Sequence, residues 1–307
     1  MTEVARRRPL ALAIPLGTLG FVRDLLIGTL LCMGPVTSVL ALGWILRRMG
    51  TTIARRRGSE AERPGWVMGP RGRGVWVFAL GGLAANIRAG AMAAAAVFVL
   101  TLPVTLLWLG AWWAGWENSF NKGYEQAGVG PSLWAVATLL SLPLLAHLPI
   151  ALAHVAAENR LSAAFEWRRI RQIAAAARWR LPALAALSVA CALPFLGLRT
   201  VPVFIESVVP GFADMTAAEQ TQVADTLALI GAALAFAAGA YLRLRAAVHY
   251  AAAETRQRPA RALAILTVGC ACAIWAILPV MIVVGQFLNY APVLWLTHPV
   301  FGLPWAG

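Results

Sequence analysis

Lysine is nearly missing from this chain: among 26 basic residues, Lys122 is the only one that is not arginine. A phosphate-binding loop of the Walker type is therefore excluded, because its lysine must reach the terminal phosphates. No GxSxG or HExxH pattern is present either, which removes the nucleophile elbow and the zinc-helix signatures. Acids are scarce, 13 in 307 residues, and no expected span carries a pair of carboxylates, the usual mark of a proton or cation relay. Enzymes and ion-coupled pumps both lose ground. The four cysteines (Cys32, Cys191, Cys270, Cys272) all fall inside apolar blocks, where a thiol behaves as a small hydrophobe, so no disulfide framework is implied.

Apolar residues are what the chain has in excess. Only 13% of residues are charged, the mean hydropathy is +0.71, and the apolar residues come in blocks rather than in stripes. That is a membrane composition. A bilayer core of ~30 Å takes about 20 apolar residues as a helix, since backbone groups without water must bond within their own segment. The blocks predict an all-α, polytopic transmembrane helical bundle forming one domain. About six spans are expected, at residues 25–46, 89–113, 132–152, 181–197, 226–242 and 262–288, with an interfacial piece at 75–87.

The polar connections differ sharply in arginine. Basic residues number 8, 6 and 5 in residues 47–74, 153–180 and 243–261, against 1 and 1 in residues 114–131 and 198–225. By the positive-inside rule the three arginine-rich segments face the cytoplasm. The net charge of +13 then has this topological cause, and no nucleic-acid partner is expected. Trp108, Trp112, Trp113, Trp116 and Trp134 cluster at the other ends of the second and third spans, as an interfacial aromatic belt does. Arg6, Arg7 and Arg8 give the basic start of a secretory signal, but Pro15, Gly17 and Gly20 interrupt the apolar run after them. The segment reads as retained and uncleaved. For residues 25–46 two readings stand: a plain span, which arginine counting favours, or a re-entrant hairpin turning at Gly34-Pro35 with both ends inside.

The stretch AHVAAENRLSAAFEWRRIRQI, residues 153–173, concentrates charge at the end of the third span. It predicts a turn at Glu158-Asn159-Arg160, an N-cap at Ser162, and an amphipathic surface helix with Ala163, Trp167, Ile170, Ala174 and Ala177 on one face. Trp167 is expected at the lipid boundary, with Arg168, Arg169 and Arg171, together with Arg55, Arg56 and Arg57, available to anionic headgroups or partner membrane proteins. A second capping signal, Thr216 with Glu219, marks the helix leading into the fifth span.

The motif HVAAENR from His154 has an echo, HYAAAETR from His249, and each is followed by an Ala-rich span carrying Cys and then Pro. This suggests a duplication of helical hairpins, residues 132–197 and 226–288. Read as chemistry, the echo offers His154/Glu158 and His249/Glu254 as ligand sets for a transition metal. The spacings differ by one residue and no Cys or Asp joins them, so no metal or other cofactor is expected. His147, flanked by Pro143 and Pro149, and Arg88 are polar residues expected within the membrane. Helix repair is the structural reading for His147, donating to a carbonyl near a proline. Arg88 reads as a side chain snorkelling to the cytoplasmic boundary.

The stretch ALGWILRRM at residues 41–49, followed by Arg57-Gly58 and Pro64, together with AENRLSAAFEW at residues 157–167, resembles the prokaryotic membrane family known as domain of unknown function 4013. The resemblance covers roughly residues 15–204 and implies a multi-spanning architecture with no assigned activity. The chain departs from it after the first basic run, where it reads GSEAERPGW and the family tends to be acidic. The function expected is a non-enzymatic inner-membrane protein that organises lipids or partner proteins. The alternatives are a small-solute transporter or channel, and a metal-dependent membrane enzyme.

Overall fold

The computed structural model describes residues 10–69, 74–114, 129–200, 205–257, 259–278 and 302–305, and among them all regular structure is helical. The helices are α1 (Leu10–Cys32), α2 (Pro35–Arg56), α3 (Val75–Trp112), α4 (Val129–Glu158), α5 (Trp167–Ala177), α6 (Arg180–Thr200), α7 (Ile205–Val208), α8 (Ala217–Glu254) and α9 (Arg261–Trp275). Short 3-10 turns lie at Leu161–Phe165 and Phe212–Asp214.

The first apolar block is a hairpin. Pro35 opens α2 at a position where its missing N–H costs nothing, and the Thr37 hydroxyl donates to the Leu31 carbonyl at 2.7 Å, closing the end of α1. Asp24 and Trp44 flank this turn at equal distance. In a straight helix they would be about 30 Å apart, yet both meet Trp66. Its Nε1 donates to Asp24 at 3.1 Å, and its ring stacks on Trp44 with centroids 4.4 Å apart. Phe236 of α8 leans on both indoles, so α1 and α2 double back against α8.

About six spans are not found. Among the described residues three helices are long and apolar enough to cross a membrane, in α3, α4 and α8, and a fourth if α5 and α6, bent by 94°, count as one. The expected span at 25–46 is divided by the hairpin turn, whereas the one at 181–197 is continuous within α6 and reaches the length and hydropathy of a span only together with α5, across the bend at Arg178, where φ is 53°. The expected span at 262–288 corresponds to the 15-residue α9, and its later residues lie outside those described. The three long helices also exceed the apolar blocks that suggested them. Residues 75–87 are continuous with the second span rather than a separate interfacial piece. Helix α8 runs through Arg243 and Arg245 to Glu254 because its Ala-rich final turns favour helix. Its start carries the expected capping box, with Thr216 Oγ1 accepting from the Glu219 amide at 3.3 Å and Glu219 accepting from the Thr216 amide at 2.8 Å.

Helix α4 lies at the centre: half of its most apolar window is buried, against 33% for α3 and 28% for α8. The outward faces of α1, α3, α4, α8 and α9 expose large apolar side chains, among them Leu30, Leu106, Leu139, Leu229 and Ile265. An apolar surface distributed over so many helices is compatible with a lipid surround.

Helices α2 and α3 cross at backbone contact. A Cβ on Gly43 would lie 1.8 Å from the Asn86 carbonyl oxygen, and one on Gly90 would lie 2.0 Å from that of Val39. Small residues at a crossing let membrane helices approach closely. Gly43→Ala and Gly90→Ala are expected to cost about 1–3 kcal/mol or more through overpacking, read as a fall in unfolding temperature in detergent. Gly269→Ala, whose Cβ would meet nothing within 4 Å, serves as the neutral comparison. The hairpin makes a second prediction: with the native cysteines replaced, Leu19→Cys and Ser59→Cys are labelled by an impermeant maleimide from the same side of the membrane. Labelling from opposite sides would rule the hairpin out.

Candidate functional site

The three arginine-rich segments meet at one end of the bundle. Arg57, just past α2, donates through Nε and Nη2 to the two oxygens of Glu254, each at 2.8 Å, and Arg169 of α5 approaches the same carboxylate at 3.4 Å. One acid at the end of α8 thus draws together residues from all three segments. Elsewhere Trp108 and Trp134 make an edge-to-face pair, centroids 5.7 Å apart, joining α3 and α4. Trp113 is exposed, Trp116 lies outside the described residues, and the side chain of Trp112 is likewise not described.

Beside this junction His154, 2% exposed, is held on both sides of its ring. Nδ1 lies 2.8 Å from the Tyr250 hydroxyl and Nε2 lies 2.9 Å from Glu166. Glu166 also pairs with Arg160, which donates to the Ser162 hydroxyl at 2.8 Å. The hydrogen bond from His154, and then that from Arg160, hold the Glu166 carboxyl below the usual carboxylate range. The expected turn is present, with Asn159 in the left-handed conformation (φ 50°) that ends α4 and that asparagine tolerates.

The surface helix is corrected in two respects. Ser162 caps nothing; it sits in the 3-10 turn as an acceptor for Arg160, and α5 begins only at Trp167. The face formed by Ala163, Ile170, Ala174 and Ala177 is fully buried against α4, α8 and α9, joined by Ile173, with Trp167 half-buried on the same core. Its apolar stripe is covered by protein rather than lipid. Arg168 and Arg171 remain exposed.

The metal-ligand reading loses its geometry. Both His154 nitrogens are engaged, by Tyr250 and Glu166 rather than by Glu158, and Glu254 is held by Arg57 and Arg169. Among the described residues no three His, Cys, Asp or Glu gather as a metal site. His249 is half-buried, and its Nδ1 has no hydrogen-bond partner among the described residues. The two echoing motifs do lie side by side, the His154 and Tyr250 rings 5.8 Å apart. His147 donates from Nδ1 to the Pro143 carbonyl at 2.7 Å, and because a carbonyl can only accept, this sets the tautomer. That carbonyl is the ordinary helical acceptor of the His147 amide, whereas the prolines at 143 and 149 free the carbonyls of Leu139 and Leu145, so the expected repair of a proline gap is not what this bond does.

Sequence reasoning missed the segment Arg63-Pro64-Gly65-Trp66. Arg47 Nη1 donates to the carbonyls of Gly65 (3.3 Å) and Gly82 (3.1 Å) and to Asn86 Oδ1 (2.7 Å), while Asn86 Nδ2 donates to the Trp66 carbonyl (2.8 Å). Trp44 Nε1 donates to the Pro64 carbonyl at 3.2 Å, and Arg63 pairs with the buried Asp24. The signals were available: Asn86 as the amide interrupting an apolar run, and Asp24 as a lone acid in another. Behind this latch a cavity of about 450 Å³ opens between α2, residues 62–69, α3 and α4. Arg88 lines it and is exposed, in keeping with a boundary position. Arg243, by contrast, is 4% exposed within α8 and donates to the carbonyls of Gly239 and Gly302.

No family model, curated protein or solved structure matches the chain.

Because the carboxyl of Glu166 is depressed in the folded protein, its contribution to stability is present above the ordinary carboxylate pKa and is lost as pH falls through the folded value. Glu166→Gln is therefore expected to unfold at a lower temperature than the unmodified chain at neutral pH. The gap should narrow only as pH falls below the ordinary carboxylate range. A gap independent of pH would show that charge is not what Glu166 contributes.

Proposed function

We propose that the chain is a non-enzymatic integral protein of a prokaryotic cytoplasmic membrane, and that its arginine-rich end faces the cytoplasm and gathers anionic lipid headgroups or partner membrane proteins. Membership of the domain of unknown function 4013 family belongs to the same proposal and adds architecture without activity. The observation that carries it is the convergence on Glu254 of residues from all three arginine-rich segments. Around that junction Arg56, Arg168 and Arg171 are exposed and make no ion pair among the described residues. Each arginine held near an anionic membrane surface contributes about 1 kcal/mol of attraction, so three together are enough to bias the composition of the surrounding lipid.

Reconstitution into nanodiscs of mixed phosphatidylglycerol and phosphatidylcholine tests this. The protein is expected to enrich phosphatidylglycerol in its lipid annulus, and the triple substitution Arg56→Gln, Arg168→Gln, Arg171→Gln to reduce that enrichment. Equal lipid composition around both proteins would remove the proposal.

A further inference from the structure

The cavity beside the latch is built differently from the open arginine surface. Three guanidinium groups line it, Arg47, Arg63 and Arg88, against the single carboxylate of Glu62. They are not equivalent. Arg63 is already engaged by Asp24, a carboxylate it shares with Arg23. Arg47 is anchored through Nη1 to Gly65, Gly82 and Asn86, leaving Nε and Nη2 without a partner among the described residues. Arg88, from α3, has no hydrogen bond or ion pair among the described residues. A fixed cation and an unengaged one therefore share a single space, whose remaining wall includes Pro64, Met68 and Ala89.

Guanidinium groups present planar forks that match phosphate oxygens, and such charge-assisted bonds are stronger than neutral ones. A volume of about 450 Å³ lies in the range of small-molecule sites and exceeds what a bare phosphate fills. Apolar and backbone groups beside the two arginines suit the carbon skeleton of an ester. We infer that this cavity binds a phosphate ester of a small polyol, with Arg88 and the free edge of Arg47 on the phosphate and the polyol against Pro64 and Met68. The ester is either the headgroup of a glycerophospholipid or a soluble polyol phosphate. The inference rests on the reading of this end as a binder of anionic headgroups, but it names a discrete site that Arg56, Arg168 and Arg171 do not line.

The full chain, reconstituted in phosphatidylglycerol and phosphatidylcholine nanodiscs and then released into detergent, is examined by native mass spectrometry. One phosphatidylglycerol is expected to stay bound through washing. Arg88→Gln is expected to lower its retention about tenfold, with an unchanged unfolding temperature in phosphatidylcholine alone because no folded contact is lost. Arg256→Gln, at the same end but outside the cavity, should retain lipid as the unmodified chain does. Displacement of the bound lipid by millimolar sn-glycerol 3-phosphate identifies a soluble ester as able to occupy the site, and resistance to it identifies the lipid headgroup; either supports a phosphate-ester site. Equal retention by Arg88→Gln and the unmodified chain, or equal losses in Arg88→Gln and Arg256→Gln, overturns it. In those cases an annulus still enriched in phosphatidylglycerol leaves the wider functional reading standing, and an annulus without enrichment removes both.

Discussion

The guanidinium of Arg47 is the point on which the arginine-rich end depends. It binds two backbone carbonyls and one amide oxygen from three places, Gly65, Gly82 and Asn86. A buried polar group without a partner costs several kcal/mol in an apolar setting, and here each partner solves another's problem. The carbonyls of residues 64–66 belong to no helix and need donors, which Arg47, Asn86 and Trp44 supply. Irregular backbone can sit against apolar helices only on such terms.

Once that segment is held, the α1–α2 hairpin follows. Trp66 is the surface on which it closes, stacked on Trp44 and bonded to Asp24. Asp24, 4% exposed, answers to both Arg23 and Arg63, so the acid that would be costly alone becomes the means by which α1 is attached. The close passage of Gly43 and Gly90 brings Asn86 within reach of Arg47. A crossing that allows no Cβ and a three-acceptor arginine are thus parts of a single constraint.

Helical class, the arginine asymmetry, the turn at Asn159 and the Thr216 cap were legible in the sequence because each rests on local spacing or composition. The number of spans was not. Hydropathy sees blocks, and it cannot see that residues 25–46 fold back on a tryptophan distant in sequence, or that α8 continues through Arg243. The network at His154 was half legible: His154, Glu166 and Arg160 stand in one stretch, but the first partner, Tyr250, comes from another helix. The stripe on α5 was read correctly and its cover wrongly, since periodicity reports that a face is apolar without saying whether lipid or protein meets it.

The near-absence of lysine acquires a physical reason from these contacts. Arg57 uses two nitrogens of one fork to hold both oxygens of Glu254, a geometry that a point-like ammonium does not reproduce. Arg243 and Arg47 lie among apolar helices, where a delocalised, weakly hydrated cation is less costly to desolvate than an ammonium group and does not give up its charge. The arginines therefore divide into a set committed to the fold, Arg57, Arg63 and Arg243, a set left open, Arg56, Arg88, Arg168 and Arg171, and Arg47, which is anchored through Nη1 with its other edge open. Positive-inside counting treats all of them as one signal, whereas the structure separates the residues that build the surface from those that remain free to bind to it.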